Sequence, residues 1–176
     1  MHALKIILFL IAAVIGLVLI IALFVKNDYL IEREVTVNKP ASEVFDYIRY
    51  VKNQDHYNKW VMMDPGMKKE FRGIDGAVGF VYAWDGNDKA GKGEQEITKV
   101  DMGGVLDVEI RFKRPFEGTA HTQMTTRRLS EDQTAVRWTM AGSSKYPMNI
   151  TNLFTGTILG KDLEESLLNL KKVLEK

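Results

Sequence analysis

Residues 105–112 read Val105-Leu106-Asp107-Val108-Glu109-Ile110-Arg111-Phe112. Leu106, Val108, Ile110 and Phe112 fall on one side of an extended chain and Asp107, Glu109 and Arg111 on the other, because side chains alternate across a strand. Such a strand has one wet and one covered face, as in an antiparallel sheet packed on one side. Met102-Gly103-Gly104 before it and Arg114-Pro115 after it are turn-forming. Outward from this strand, runs 67–72, 78–84, 91–100, 118–129 and 134–142 are also strand-like, with turn material at 73–76, 85–88 and 130–133. The links are short enough for an antiparallel meander.

Upstream, residues 29–37 alternate, with Tyr29, Ile31, Arg33, Val35 and Val37 on one side. Asn38 to Glu43 then reads as a helix start, with Pro40 near the first turn and Glu43 early. Val44, Phe45, Ile48 and Val51 recur at helical spacing, and a second short helix is expected over 54–60. Downstream, Leu159, Leu163, Leu167, Leu170 and Leu174 form one apolar stripe of a long C-terminal helix. One strand, two short helices, six more strands and a long helix predict an α+β domain: a curved antiparallel sheet of about seven strands with the last helix over it. A curved sheet gripping a helix leaves a gap between them, the place for a ligand.

Four stretches make the chain resemble a known family. They are Asn38-Lys39-Pro40-Ala41-Ser42-Glu43-Val44-Phe45; Trp60 followed by Asp64-Pro65, Gly79, Tyr82, Trp84 and Gly86; Thr134 to Met140 (TAVRWTM) followed by Tyr146-Pro147-Met148; and Gly160 to Leu167 with Leu170-Lys171. In their order and spacing they resemble the START-like (SRPBCC) superfamily, in its bacterial polyketide cyclase/dehydrase-type branch, across the whole of residues 29–176. The resemblance implies a helix-grip fold enclosing a hydrophobic cavity that takes lipids, sterols, polyketides or other apolar molecules. It brings no fixed catalytic motif to these positions.

Phe80, Tyr82 and Trp84 share one strand face, and Trp138 shares another with Val136 and Met140. Turned inward, they would line the cavity with Trp60, Met62, Ile97, Ile110, Phe112, Phe154 and Leu163, since aromatic rings and thioethers suit an apolar ligand of irregular shape. Each also reads as ordinary core. Gln95 shares the face of Ile97, so its amide either orients a ligand or is satisfied by neighbouring backbone. His121 is ambiguous: counting back from Leu129 turns it inward, and a shorter hairpin loop turns it outward. The pairs Glu94/Glu96 and Asp107/Glu109 share their faces with Lys92 and Arg111, so they read as the outer face of the sheet.

Residues 6–25 read IILFLIAAVIGLVLIIALFV, without charge or proline. As a helix this spans about 30 Å, the thickness of a bilayer core, with Lys5 and Lys26 at its ends. The run exceeds a signal-peptide core and ends in Leu23-Phe24-Val25-Lys26, a poor cleavage site. The expected organisation is therefore a transmembrane anchor over 1–26 and a ligand-binding domain over 27–176. The flanking cations do not choose its orientation, and nothing specifies an oligomeric state.

The charge balance, 24 Lys+Arg against 23 Asp+Glu, argues against a nucleic-acid-coating protein. The chain has no cysteine, so thiolate chemistry, disulfides and iron–sulfur clusters are excluded. The three histidines His2, His56 and His121 lack metal-ligand spacing, and Gly91-Lys92-Gly93 lacks the context of a phosphate loop. No metal and no cofactor is expected. The leading reading is a single-pass membrane-tethered domain that binds an apolar small molecule or lipid. A cyclase-, dehydratase- or hydrolase-type enzyme is the alternative, with Gln95, Tyr82 and His121 as its polar candidates. A membrane-associated interaction or stress-response module is the second alternative.

Overall fold

The computed structural model describes residues 2–176. Helix α1 (His2–Ala22) is followed by β1 (Asp28–Val37), α2 (Ala41–Ile48), a 3-10 turn (Val51–His56) and the single-turn helix α3 (Lys59–Met62). Strands β2 (Lys68–Arg72), β3 (Val81–Asp85), β4 (Lys92–Asp101), β5 (Val105–Arg114), β6 (Gly118–Arg128) and β7 (Thr134–Ser143) come next. A second 3-10 turn (Met148–Thr151) leads into α4 (Asn152–Leu174). The seven strands form one antiparallel sheet in the order β1-β7-β6-β5-β4-β3-β2. This is the expected helix-grip α+β architecture. The expected second helix over 54–60 is instead the 3-10 turn and α3, broken between His56 and Lys59.

The sheet curves because the β4–β5 ladder slips twice, between Lys92 and Gly93 and between Ile97 and Lys99. A bulge bends its strand and increases local twist. The second slip also resets side-chain parity: Gln95 and Ile97 face inward, and beyond Thr98 it is Val100 that packs on the core. The sheet wraps α4, which presents Leu163, Leu167, Leu170 and Leu174 to it at the predicted spacing. Val44, Phe45 and Ile48 of α2, with Tyr57, pack in beside them, so one end of the grip is solid core.

The outer face carries charge. Arg111 donates to Glu94 (3.0 Å), Glu96 (2.7 Å) and Glu109 (2.6 Å), and Arg72 adds a bond to Glu94 at 3.0 Å. Chiefly through Arg72, with Arg111 and Lys113 helping against partial burial, the Glu94 carboxyl is held below its ordinary value. A depressed carboxylate stabilises the fold above the ordinary Glu range, about pH 4.3, and loses that contribution as pH falls through the lower folded value. Arg111→Met is therefore expected to cost about 1–2 kcal/mol at pH 7, the solvent-screened worth of three pairs in a network. In thermal unfolding at a series of pH values, the gap to the parent chain should narrow below about pH 4.

Helix α1 is long and apolar enough to cross a membrane, and its most apolar stretch is not buried against the domain. Its C-terminal end is held. Asn149 Nδ2 donates to the carbonyls of Ala22 (2.7 Å) and Val25 (2.8 Å), and Asn152 Nδ2 to those of Lys26 (3.0 Å) and Asn27 (2.7 Å). Asn149, in the second 3-10 turn, and Asn152, at the start of α4, thus hold the carbonyls of the segment that leaves α1.

Candidate functional site

One row of paired residues crosses the sheet: Tyr82, Gln95, Ile110, Ala120, Gly142 and Tyr29. Ala120 and Gly142 in this row are small, and the Tyr29 ring lies over Gly142. Over the row α4 presents Leu159, and α3 presents Trp60 and Val61. The result is a cavity of about 290 Å³ between the sheet, α3 and α4. The next row supplies Trp84 and Phe112, whose rings meet edge to face at 6.2 Å. Gly93 lies between them in the ladder, and a Cβ there would come within 2.7 Å of the Trp84 ring. The Trp84 indole N–H donates to Ala90 O at 3.1 Å, which fixes the ring against the β3–β4 loop.

The polar side is a chain of amides. Gln54, only 3% exposed, accepts at Oε1 from Asn58 Nδ2 (2.9 Å) and from Gln95 Nε2 (3.1 Å). Asn58 Oδ1 in turn accepts from Trp60 N at 3.0 Å and caps α3. Gln95 is thus satisfied by a side chain from the 3-10 turn. Its carbonyl oxygen has no partner among the described residues and belongs to a residue lining the cavity. Tyr82 lends the cavity its ring, while its hydroxyl donates to Asp55 Oδ1 at 2.8 Å and Asp55 pairs with Lys69 at 2.7 Å. Burial, then the bond to Asp55, raises the Tyr82 phenol well above its ordinary value, so it stays protonated.

Among the residues anticipated for the site, the structure brings Trp60, Tyr82, Trp84, Gln95, Ile110, Phe112 and Met140 together around this cavity. The others lie elsewhere. Phe80, Ile97, Trp138 and Leu163 are buried core. They share the inner faces, but α2 and Tyr57 fill the grip at their end. Trp138 meets Tyr57 and Trp60 edge to face, and its indole N–H has no acceptor among the described residues. Met62 and Phe154 are corrected to the surface, 46% and 62% exposed. His121 is corrected to the outer face, 3.9 Å from Glu109. Leu129 lies in the turn beyond β6, so counting back from it gives the wrong phase; Ala120, Thr122 and Met124 are the inward residues.

Tyr29, Met67 and Leu159 also line the cavity, and its rim is Lys89, Ala90, Gly91, Arg114 and Pro115. Tyr29 and Leu159 stood on periodic faces in the sequence; turn residues at a rim carry no periodic signal. Arg114 is tied to Asp85 at 3.2 Å and to the carbonyl of Gly86. Among the described residues, no three His, Asp or Glu side chains converge as metal ligands would. The site can therefore enclose an apolar group, offer it one amide carbonyl, and meet a polar end at a cationic rim.

No family model matches the chain, and no curated protein does. Solved structures share its fold. Norcoclaurine synthase from Thalictrum flavum, in complex with dopamine and hydroxybenzaldehyde, superposes with a TM-score of 0.65 at 15% identity, covering 88% of this chain and 91% of the other. XoxI from Bacillus cereus gives 0.62 at 9% identity, over 84% of this chain and 96% of its own. Ara h 8.0201 gives 0.53 at 14% identity, over 81% and 98%. These are helix-grip folds of the Bet v1-like/SRPBCC type, and at such identities the likeness is one of fold.

Proposed function

We propose that the chain is a membrane-tethered binding domain, with residues 1–26 as its single-pass anchor and residues 27–176 holding an apolar small molecule or lipid. The observation that carries the reading is the 290 Å³ cavity, walled by aromatic and aliphatic side chains with one amide among them. Preformed apolar clefts with few polar groups are what small-molecule sites look like. A core packed for stability alone leaves few voids larger than a water. The complex of norcoclaurine synthase with dopamine and hydroxybenzaldehyde, two small aromatic molecules, is compatible with this use of the fold.

The anchor is supported by α1's length and apolarity and by the asparagine clamp. Cleavage just before residue 26 would strip Asn149 of both carbonyls it holds, those of Ala22 and Val25. The enzyme alternative draws no support from Tyr82, whose proton is committed to Asp55, or from His121, which lies outside.

Trp60 and Trp84 line the cavity and the third tryptophan, Trp138, is core, which supplies an internal test. Titrating the full chain in detergent with a dibrominated fatty acid should quench the emission of Trp60 and Trp84 saturably, at equimolar ligand. Trp60→Phe/Trp84→Phe should lose that response. Quenching that never saturates, or that is undiminished in the double variant, would overturn cavity binding.

A further inference from the structure

The strand register gathers several features at one end of the domain. Asp28, Ser143, Gly118, Arg114, Lys92, Asp85 and Lys68 are ladder ends on the same side of the sheet. The loops joining them, residues 86–91 and 115–117, carry the exposed rim residues Lys89 and Pro115, so the cavity opens at this end. The asparagine clamp fixes the end of α1 here too.

The ladder ends and loops here carry charges, among them Asp85, Asp88, Lys89, Lys92 and Glu117, and beside them lies an uncharged apolar patch. Residues 146–160 contain no charge, although they include the first two turns of α4. Of these, Leu153, Phe154 and Ile158 are 56%, 62% and 60% exposed, and Phe116, next to the rim, is 71% exposed. From Lys161 onward the same helix is densely charged. One helix thus passes from an uncharged to a charged exterior about 13 Å from its start, at 1.5 Å per residue. A wholly aqueous helix has no reason for that break; a helix entering at a lipid–water boundary does, since interfacial segments bury apolar faces about 5–10 Å deep. Lys26 and Lys145 are exposed beside the patch, as cations at headgroup level are. The opposite end also exposes Ile74, Val78 and Met102, but these lie away from the cavity mouth and from the end of α1.

We propose that this end of the domain lies on the bilayer from which α1 emerges, with the β5–β6 loop and the first two turns of α4 in the headgroup region and the cavity mouth opening into the leaflet. The ligand then passes between bilayer and cavity without crossing water. The inference rests on the anchor and cavity readings above and adds their relative orientation, with lipid as the occupant of the patch. The cavity need not dilute its search through solution, because the anchor holds mouth and leaflet in register.

A chain without cysteine takes single labels cleanly. Ile15→Cys, Phe116→Cys, Ile158→Cys and Met102→Cys, each carrying a bimane fluorophore, are placed in nanodiscs of phosphatidylcholine and phosphatidylglycerol brominated either near the headgroup or deep in the chain. The label at 15 is expected to lose most of its emission to deep bromines. Labels at 116 and 158 should lose most of theirs to shallow bromines, and the label at 102 should be unaffected. Quenching at 15 with none at 116 and 158 overturns the docking while the anchor stands. No quenching at 15 overturns the anchor itself. Labels at 116 and 158 shielded from bromines and from aqueous iodide alike would mean that a second copy or another protein covers the patch, which also overturns the inference.

Discussion

Ile110→Trp is expected to weaken binding of an anthroyloxy fatty acid by about thirtyfold in equilibrium titration, with little loss of stability. Ile110 lies mid-row between Gln95 and the small Ala120, facing the cavity. An indole there takes the room of about two to three methylene groups of ligand. At about 0.8 kcal/mol for each buried methylene, the loss is about 2 kcal/mol, or about thirtyfold. Because the added rings enter a void rather than packed core, the strain of overpacking is small, under about 1.5 kcal/mol. Unchanged affinity with an unchanged melting temperature would place the ligand outside this cavity.

Gln54→Leu is expected to destabilise the fold by about 2–4 kcal/mol. One buried oxygen, Gln54 Oε1, accepts from both Asn58 and Gln95. A leucine of similar size leaves two buried amide donors without an acceptor, at about 1–3 kcal/mol each. For a chain of this length that lowers the melting temperature by about 10 °C, readable by circular dichroism in detergent. Gln54→Leu/Gln95→Leu removes one stranded donor with its acceptor and should recover part of the loss. The single change should also weaken ligand binding, because Asn58 caps the helix that presents Trp60. A melting point within about 2 °C of the parent chain would show that the amide chain does not hold the cavity wall.

The architecture was legible because its signals are local. The alternation of Leu106, Val108, Ile110 and Phe112 shows which face is covered, and the leucine stripe of α4 shows what covers it. What period cannot say is where along a strand the covering helix lifts away. Phe80, just before β3, and Tyr82, within it, are both buried, yet the first is core only and the second also walls the cavity. Phe80 instead stacks on Phe71 under Lys52, contacts that come from separate stretches of sequence. The Gln54–Gln95 bond joins residues 41 apart and leaves no pattern to read. Phe154 was a misplacement with an available signal. Nine residues separate it from Leu163 on α4, half a turn out of phase at 3.6 residues per turn, so the two cannot face the same way.

The central claim is that this cavity holds an apolar molecule, and native mass spectrometry of the full chain released from detergent tests it most directly. After exposure to a membrane lipid extract, the chain is expected to carry one discrete additional mass that organic extraction recovers as an apolar or amphiphilic compound. Ile110→Trp should carry much less of it. A parent chain that stays at its bare mass, indistinguishable from Ile110→Trp, would contradict the account.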